Sequence, residues 1–547
     1  MASHFKTPAR SSSDVPVIHI PSLETLQGLQ VQELEQLLPA YIASRRWYRS
    51  KTRTIRSAIV EDLLAVPEIR SVVTVVRIEY EHGGDDTYII AVHFAVGAEG
   101  NTPVAGAEIV GTYRTGDGQE GVLVDALSDE RCRRWLLEAI TGKVPLKQGK
   151  GEWVATRTSA FEGEANFDLP SSVSRAEQSN TSVIFGDRYI LKLFRKIEPG
   201  VNPDIEIGAF LTEHGFRNTP AVLASLQYQP PAGTEPYSVC ILQDFVRNQG
   251  DAWKYTLESL GDFFNQAVKR KAGPPALSSE HPLEAGIIPQ ELQPLFGTYL
   301  DSARLLGRRT AEMHTALANP DSGPWFAPEP FTEADGEALY REMLEQSNTT
   351  FQMLRAKANT LPEYARLDAK RLLEPEPAVS GRFSFLRNRK IDADRIRFHG
   401  DYHLGQVLYT GSDFMIIDFE GEPARPLSER RSKGLAVRDV AGMVRSFQYA
   451  AYAALFGQVP GFTVQPDRVA AVEAWAAFWF VSVSAAYLEA YLGSAQGKRF
   501  VPAEASERRI LLDAFLLQKA LYEVAYELNN RPDWVRIPLR GILGLLQ

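Results

Sequence analysis

Two short apolar segments framed by polar residues give the most informative pattern in the chain. They occupy residues 407–409 and 414–417 and are separated by a turn-forming stretch at 410–413. Short apolar runs on either side of a tight turn predict a β-hairpin. A polar loop precedes the first predicted strand, and acidic residues follow the second.

Elsewhere the pattern divides the chain into a β-rich first part and a helical second part. Segments in which apolar and polar residues alternate predict strands at 71–80, 86–94 and near 107–113. Helical periodicity predicts one helix at 33–46 and another that begins after the cap candidate Ser128 and ends at residue 141. From about residue 251 onward helical periodicity dominates, and only the predicted hairpin interrupts it.

The chain is too long for one compact core, since its 547 residues exceed the usual size of a single domain. Composition shifts and the Lys- and Gly-rich stretch before residue 151 predict the boundaries. The expected parts are a disordered lead-in at 1–16, an N-terminal cap at 17–150, an intermediate nucleotide-binding part at 151–246 and a helical C-terminal lobe at 247–547.

Composition narrows the class of protein. The net charge of −9 with no basic tract argues against a nucleic-acid partner. The longest apolar run, residues 472–487, fits a core helix better than a membrane span, and residues 1–16 lack the apolar core of a signal peptide. Cys132 and Cys240 lie far apart and suggest no disulfide framework, so the cytoplasm is the expected compartment.

The polar residues around the hairpin have the types and order that phosphoryl transfer needs. Asp401 can accept a proton from an attacking hydroxyl, and Asp418 and Gln406 can hold a divalent metal. Glu420 can hold a second ion or a water. The spacing lacks a zinc signature and the hard oxygen ligands favour Mg²⁺. The alternative is an ordinary hairpin with a polar loop, which the fixed order of these residues disfavours.

A nucleotide cradle is expected upstream, at residues 176–192. Small polar residues there would let backbone N–H groups approach phosphates: Ser179, Asn180, Thr181 and Ser182. Lys192 would supply a positive charge for the phosphates, clamped by Glu206 at the start of a helix. The segment with Gln243, Phe245 and Val246 would form the hinge that meets adenine. A lysine on a strand can equally be a solvent-exposed residue.

The chain resembles the bacterial maltokinases, which are distant members of the protein-kinase-like group that includes aminoglycoside phosphotransferases. The resemblance covers nearly the whole chain from about residue 33. The matching segments are LPAYIASRRWY, AEQSNTS, LGRRTAEMH, HGDYHLGQVL, IDFEGEP, RDVAGMVRSFQYAA and KALYEVAYELNNRPDWVRIPL. Gln406 stands where most kinase-like relatives have Asn, and Glu420 stands where protein kinases have Gly; both are features of maltokinases.

This resemblance implies an α+β, bilobal protein-kinase-like fold with an additional β-rich cap and a mostly helical C-terminal lobe. It implies transfer of a phosphoryl group from ATP, with Mg²⁺, to the anomeric hydroxyl of maltose. The product, maltose 1-phosphate, would feed α-glucan synthesis, often alongside a trehalose synthase. A close relative of the maltokinases phosphorylates glucosamine, so the acceptor is less defined than the reaction.

The acceptor is expected to contact one stripe of the last long helix, predicted at 507–529. The stripe combines charged and aromatic groups of the kinds that bind sugars: Lys519, Tyr522, Glu523 and Tyr526. A plain solvated helix face is the alternative. His403 and Arg438 are further candidate substrate contacts. His399 and Asp439 are expected to support the catalytic loop, and His403 to help organise it.

Two rival functions stay open from the residues alone. One is a catalytically silent kinase-like partner of trehalose synthase, which the intact Asp401, Gln406, Asp418 and Lys192 disfavour. The other is a kinase for a different small alcohol or an antibiotic. An aminoglycoside-type acceptor is cationic and needs an acidic pocket, so the mixed charge of the predicted stripe disfavours this function.

Overall fold

The structure, a computed structural model, divides into two compact units. The first unit is Met1–Glu213 with Pro220–Val246, and the second is His214–Thr219 with Arg247–Gln547. The described residues are 17–26, 28–96, 108–144, 146, 149–163, 165–174, 179–231, 235–276, 279, 281–374 and 376–546. The expected lead-in at 1–16 lies outside them, as do residues 176–178 of the predicted nucleotide loop.

The N-terminal part of the first unit is built on a large sheet and two helices. The strands are β1 (Val17–Ile20), β2 (Ile55–Val66), β3 (Ser71–Tyr80), β4 (Asp85–Val96), β5 (Ile109–Thr115) and β6 (Glu120–Asp125), and the helices are α1 (Val31–Ser44) and α2 (Glu130–Ile140). The strand order is β1-β5-β6-β4-β3-β2, with β1 parallel to β5 and the other neighbouring strands antiparallel. Along β2, buried and partly exposed residues alternate, because one face of the strand packs on the core.

The strand predictions at 71–80 and 86–94 match β3 and β4, whereas β2 and β6 were not predicted. The cap of α2 was also assigned to the wrong residue. Asp129, not Ser128, caps the helix, since its carboxylate accepts a hydrogen bond from the backbone N–H of Arg131 at 2.8 Å.

A second sheet and one helix complete the first unit. The strands are β7 (Glu152–Arg157), β8 (Ser171–Val173), β9 (Thr181–Phe185), β10 (Tyr189–Leu193), β11 (Lys196–Ile197), β12 (Val222–Gln229) and β13 (Tyr237–Asp244), and the helix is α3 (Pro203–Glu213). The sheet order is β7-β12-β13-β10-β9-β8, while β11 pairs with β4 of the cap sheet. Lys192 therefore lies on an inner strand, between β9 and β13.

The second unit is mainly helical. Its helices are α4 (Ala252–Ala267), α5 (Tyr299–Leu317), α6 (Glu333–Lys357), α7 (Glu363–Leu373), α8 (Glu376–Gly381), α9 (Phe385–Asn388), α10 (Leu427–Arg430), α11 (Val437–Ala453), α12 (Val469–Ser494), α13 (Ala505–Asn530) and α14 (Arg536–Leu545). Its short strands are β14 (Glu329–Pro330), β15 (Asp394–Arg395), β16 (Val407–Tyr409) and β17 (Phe414–Ile416). The predicted hairpin is present, with Leu408 opposite Met415.

Helix α12 forms much of the core of the second unit. Among the described residues it is the one helix, counted from Pro466 to Ser494, that is long and apolar enough to cross a membrane, and 56% of its most apolar window is buried inside the protein. It lies tightly against α5, where a Cβ added at Gly307 would overlap the backbone carbonyl of Tyr487. Burial on this scale is typical of a core helix.

Candidate active site

The loop that carries Asp401 is held by one buried carboxylate on α11. Asp439 accepts hydrogen bonds from the backbone N–H groups of His399 at 2.7 Å and Gly400 at 2.9 Å. His314 on α5 lies against the same carboxylate, with 3.1 Å between Nε2 and Oδ2. Burial opposes the charge of Asp439, but these contacts outweigh it and lower its pKa. The ionised carboxylate therefore fixes the backbone of the loop.

Gly400 makes this loop conformation possible. Its φ is +86°, in the left-handed region that disfavours residues with a side chain. A Cβ at this position would also lie 3.0 Å from the Cα of Gly421. The neighbouring Asp401 is thereby presented from a closely packed turn.

Asp401 forms an ion pair with Lys519 of α13. The Nζ atom of Lys519 lies 3.2 Å from Oδ1, and Nε2 of His403 lies 3.8 Å from Oδ2. Burial favours the neutral acid, but the charge of Lys519, followed by those of two nearby histidines, outweighs it and holds the pKa of Asp401 below its ordinary value. Burial lowers the pKa of His403. Asp401 is thus an ionised carboxylate at neutral pH.

The two predicted metal ligands from the hairpin lie together. Nε2 of Gln406, just before β16, donates to Oδ2 of Asp418 at 2.7 Å. Asp418 has a φ of +68°, which is uncommon for a residue with a side chain and typical of functional sites. Carboxylate and amide oxygens suit Mg²⁺, so this pair fits a magnesium ion. Glu420 follows two residues later, and its backbone carbonyl accepts from Arg430 at 3.1 Å.

A cavity of about 460 Å³ opens beside Asp401 in the second unit. We call it the Asp401 cavity, and α6, α11, α13 and the segment after β17 line it. On its α13 side, Nζ of Lys519 lies 3.6 Å from Glu422, and the hydroxyl of Tyr522 donates to Glu422 at 2.9 Å. Its volume falls in the range of small-molecule sites.

A second polar cluster lines the same cavity around Glu342 of α6. Its Oε1 accepts from Arg438 at 2.9 Å, from Gln518 at 2.9 Å and from Arg425. Burial raises the pKa of Glu342, but the two arginines outweigh it and lower the pKa overall. The sequence predicted Arg438 alone of these residues. Nothing in the charge pattern of α6 distinguishes Glu342 from its exposed neighbours, whereas Glu422 stands within the IDFEGEP segment and could have been found there.

Only part of the predicted α13 stripe lines the cavity. Lys519 and Tyr522 do, whereas Glu523 forms a buried ion pair with Arg445 of α11, with 3.0 Å between Oε2 and Nε. Tyr526 is 45% exposed, and its ring stacks against that of Tyr522 with 6.4 Å between the ring centroids. The structure thus places Glu523 in a core contact instead of the predicted sugar contact, because it faces α11.

The predicted nucleotide-binding residues lie in the first unit. Nζ of Lys192 forms an ion pair with Asp204 at 3.0 Å, and both side chains are buried. Asp204 was missed, although it lies on the same first turn of α3 as the predicted partner Glu206. The clamp between Lys192 and Glu206 stays a prediction.

The side chains of the predicted phosphate loop are mostly enclosed. Asn180, Thr181 and Ser182 are buried and Ser179 is partly buried. The hydroxyl of Thr181 accepts from Nε of Arg195 at 2.8 Å. Phosphate binding by the backbone N–H groups of this loop stays a prediction.

The predicted hinge residues continue the sheet. Gln243 pairs with Ile190 on β10, and the N–H of Phe245 donates to the carbonyl of Arg188 at 2.9 Å. An adenine contact would have to use backbone groups other than this N–H. Val246 is the last residue of the first unit.

Several known proteins are similar to this chain. Residues 41–129 match the maltokinase N-terminal cap domain. A glucosamine kinase from Mycolicibacterium smegmatis is 27% identical over 371 residues, covering 68% of this chain and 78% of its own length. A glucosamine kinase from Streptacidiphilus jiangxiensis is 25% identical over 457 residues, covering 81% of this chain and 84% of its own length.

The chain is thus similar to maltokinases in its N-terminal cap and to two glucosamine kinases over most of its length. A solved structure of glucosamine kinase in complex with glucosamine, ADP and inorganic phosphate superposes with a TM-score of 0.60 at 20% identity, covering 94% of this chain and 99% of that one. Another crystal form of glucosamine kinase gives a TM-score of 0.61. The predicted fold class, kinase-like with a β-rich cap and a helical C-terminal part, is confirmed.

Proposed function

We propose that this protein is an ATP-dependent sugar kinase whose acceptor binds in the Asp401 cavity. The observation that carries the proposal is the ion pair between Asp401 and Lys519 at 3.2 Å, on the wall of a cavity sized for a small molecule. A buried carboxylate kept ionised beside a cation is suited to orient a hydroxyl and accept its proton.

The proposed step is the transfer of the γ-phosphoryl group of ATP to the acceptor hydroxyl. The acceptor hydroxyl oxygen forms a bond to the γ-phosphorus of ATP, while the bond between that phosphorus and the β,γ-bridging oxygen breaks and ADP leaves. The proton of the hydroxyl passes to the Asp401 carboxylate. Lys192 in the first unit would hold nucleotide phosphates by its charge, with Asp204 fixing its position.

Asp418 and Gln406 would hold Mg²⁺, and Glu420 a second ion or a water. The ion would offset the negative charge of the phosphate oxygens. The 2.7 Å contact between Nε2 of Gln406 and Asp418 supports this proposal, because it brings the amide and the carboxylate of this hairpin together. Asp418 lies just after β17 and has a left-handed backbone, with a φ of +68°.

Maltose is the acceptor that we propose, phosphorylated at its anomeric hydroxyl to give maltose 1-phosphate and ADP. The quoted maltokinase segments and the cap domain support this choice. So does the charge balance, because the carboxylates of Glu422 and Glu342 both lie against cationic side chains. A neutral, hydroxyl-rich ligand suits such paired groups, which offer both donors and acceptors.

Glucosamine is the second candidate acceptor, favoured by a specific observation. Lys519 is shared between Asp401 and Glu422, so this group of three side chains carries a net negative charge. An ammonium group of an amino sugar would balance it. The names of the two curated relatives point the same way.

A panel of acceptors with ATP and Mg²⁺ tests the proposal, with each phosphorylated product scored by mass. Maltose, glucosamine, glucose and an aminoglycoside cover the candidates. A product from maltose alone supports maltokinase activity, and one from glucosamine alone selects the second candidate. Turnover of no sugar in the panel would overturn the sugar-kinase proposal.

The setting of the reaction is also a proposal. Maltose 1-phosphate would feed α-glucan synthesis, with a trehalose synthase as partner and source of maltose. Cys132 and Cys240 are both buried free cysteines, which suits the cytoplasm. Co-purification with a trehalose synthase tests the partner.

A further inference from the structure

A second large cavity lies among the helices of the second unit and has no role in the proposed reaction. Its volume is about 440 Å³. We call it the arginine cavity, because α11, α13, α14 and the residue after α8 each contribute an arginine to its lining. Its charged and titratable lining residues are His281, Arg382, Arg445, Arg509, Asp513 and Arg540.

The carboxylates that balance these arginines lie mostly behind them. Arg445 is buried and pairs with Glu523, and Arg540 donates to Glu473 at 2.7 Å. Neither glutamate lines the cavity, whereas both arginines do. A carboxylate placed behind a guanidinium fixes its orientation. Arg445 is engaged at all three nitrogens, by Glu523 and Gln448, and forms a fixed part of the wall. Arg540 donates from Nε to Asp368 at 3.0 Å and from Nη1 to Glu473, which leaves its Nη2, within the described residues, for a ligand.

The backbone is shaped around Arg445. A Cβ added at Gly541 of α14 would overlap Nη1 of Arg445, so a larger residue there would displace the guanidinium. Asp513, the acidic lining residue, is itself engaged by His281, with 2.9 Å between Oδ1 and Nε2. The charged side chains that line the cavity, His281 aside, are four arginines and one aspartate.

Two of the lining arginines, Arg382 and Arg509, are more exposed to solvent than Arg445. Arg382 is exposed, and its side chain donates to the backbone carbonyl of Leu546 at 3.3 Å. Arg509 has a side chain 43% exposed and pairs with Glu284. Neither is needed to complete the core, so both can close on a bound anion.

An apolar wall faces the arginines. Tyr452, Phe480 and Leu516 line the same space. A lone inorganic anion would not use this wall or the full volume, whereas a phosphate carried on an organic ring would use both. Clustered arginines are the side chains best suited to bind phosphate through several N–H groups.

We propose that the arginine cavity binds a phosphorylated small molecule, holding its phosphate monoester with Arg382, Arg509 and Arg540 and its organic part against Phe480. The site is separate from the Asp401 cavity, since the two linings share no residue. The inference does not depend on which sugar is phosphorylated.

Isothermal titration calorimetry on the full chain tests it, with glucose 1-phosphate and inorganic phosphate as the two probes. Arg382→Gln and Arg509→Gln should each weaken binding about tenfold or more, because each loses charge-assisted hydrogen bonds. Binding of both probes assigns the phosphate as the recognised group, and binding of the ester alone adds the sugar to the recognition.

Two controls locate the binding. Arg341→Gln removes one exposed arginine of α6, whose side chain is 71% exposed, and should leave the affinity unchanged. Lys519→Gln alters the Asp401 cavity and should also leave it unchanged. The proposal is overturned if neither probe binds saturably, if Lys519→Gln alone abolishes binding, or if Arg341→Gln weakens binding as much as the cavity variants.

Discussion

Lys519 places one ammonium group between two carboxylates, 3.2 Å from Asp401 and 3.6 Å from Glu422. Burial lowers the pKa of Lys519, but the two carboxylates outweigh it and raise the pKa. The lysine therefore stays charged while it keeps Asp401 ionised. Lys519 of α13 therefore connects the candidate base, Asp401, with Glu422 in the wall of the Asp401 cavity.

This link predicts a pH effect. The Lys519→Gln change removes the largest charge that lowers the pKa of Asp401, so that pKa should rise. Because the base must be deprotonated to act, the acidic limb of the kcat/KM profile should move to higher pH. A pH–rate profile measures this. The control is Lys498→Gln, which changes an exposed lysine of the same unit and should leave the acidic limb of the profile at its wild-type pH. Equal pH–rate profiles for the wild type and both variants would contradict the pairing of Lys519 with Asp401.

Removing the metal carboxylate should weaken nucleotide binding as well as turnover. Asp418→Ala takes away the charged oxygen ligand, so the affinity for Mg²⁺–ATP should fall. Calorimetric titration of Mg²⁺–ATP checks this. Asp413→Asn changes a carboxylate of the same hairpin that pairs with Arg309 at 2.7 Å and should retain affinity. Unchanged affinity in Asp418→Ala would exclude Asp418 as a metal ligand.

The hydroxyl of Tyr522 should contribute to acceptor binding. Tyr522→Phe removes its hydrogen bond to Glu422, and the KM for the sugar should rise about threefold to tenfold, the effect of losing one hydrogen bond. The KM for ATP should stay nearly constant, because the predicted nucleotide residues belong to the first unit. Tyr526→Phe, at an exposed position, is the matched control. A normal sugar KM in Tyr522→Phe would remove this hydroxyl from the binding surface.

Glu523 should matter for stability. Glu523→Ala leaves the buried guanidinium of Arg445 without its carboxylate, which should lower the free energy of unfolding by about 3–5 kcal/mol. Urea unfolding measures it. Glu489→Ala, with a side chain 77% exposed and a weak contact to Arg304, should change the free energy of unfolding by less than about 1 kcal/mol. Equal stability of the two variants would contradict the assigned role of the Arg445 contact.

The sequence predicted the parts of the site that are local in the chain. The order of Asp401, Gln406 and Asp418 around two short apolar runs predicts the hairpin, because strand periodicity and turn residues act over a few positions. The helix with Lys519 and Tyr522 follows from its periodicity in the same way.

Long-range pairing could not be predicted from the same patterns. Glu342 meets Gln518 across 176 positions, and Glu523 meets Arg445 across 78. Helical periodicity defines a stripe of residues but not which neighbouring helix covers each part of it. That is why the stripe assigns Glu523 to the sugar and why the sequence does not identify Glu342. Asp204 lies only 12 positions from Lys192, and the sequence does not decide between it and Glu206 on the same turn of α3.

The most direct test follows ³¹P NMR signals during a reaction of the purified protein with ATP, Mg²⁺ and maltose or glucosamine, in parallel with the Asp401→Asn variant. Wild type should convert ATP to ADP and a sugar phosphate. Asp401→Asn should form no product while calorimetry shows that it still binds Mg²⁺–ATP, because it loses the proton acceptor and not the nucleotide site. Turnover at the wild-type rate in Asp401→Asn would contradict the account.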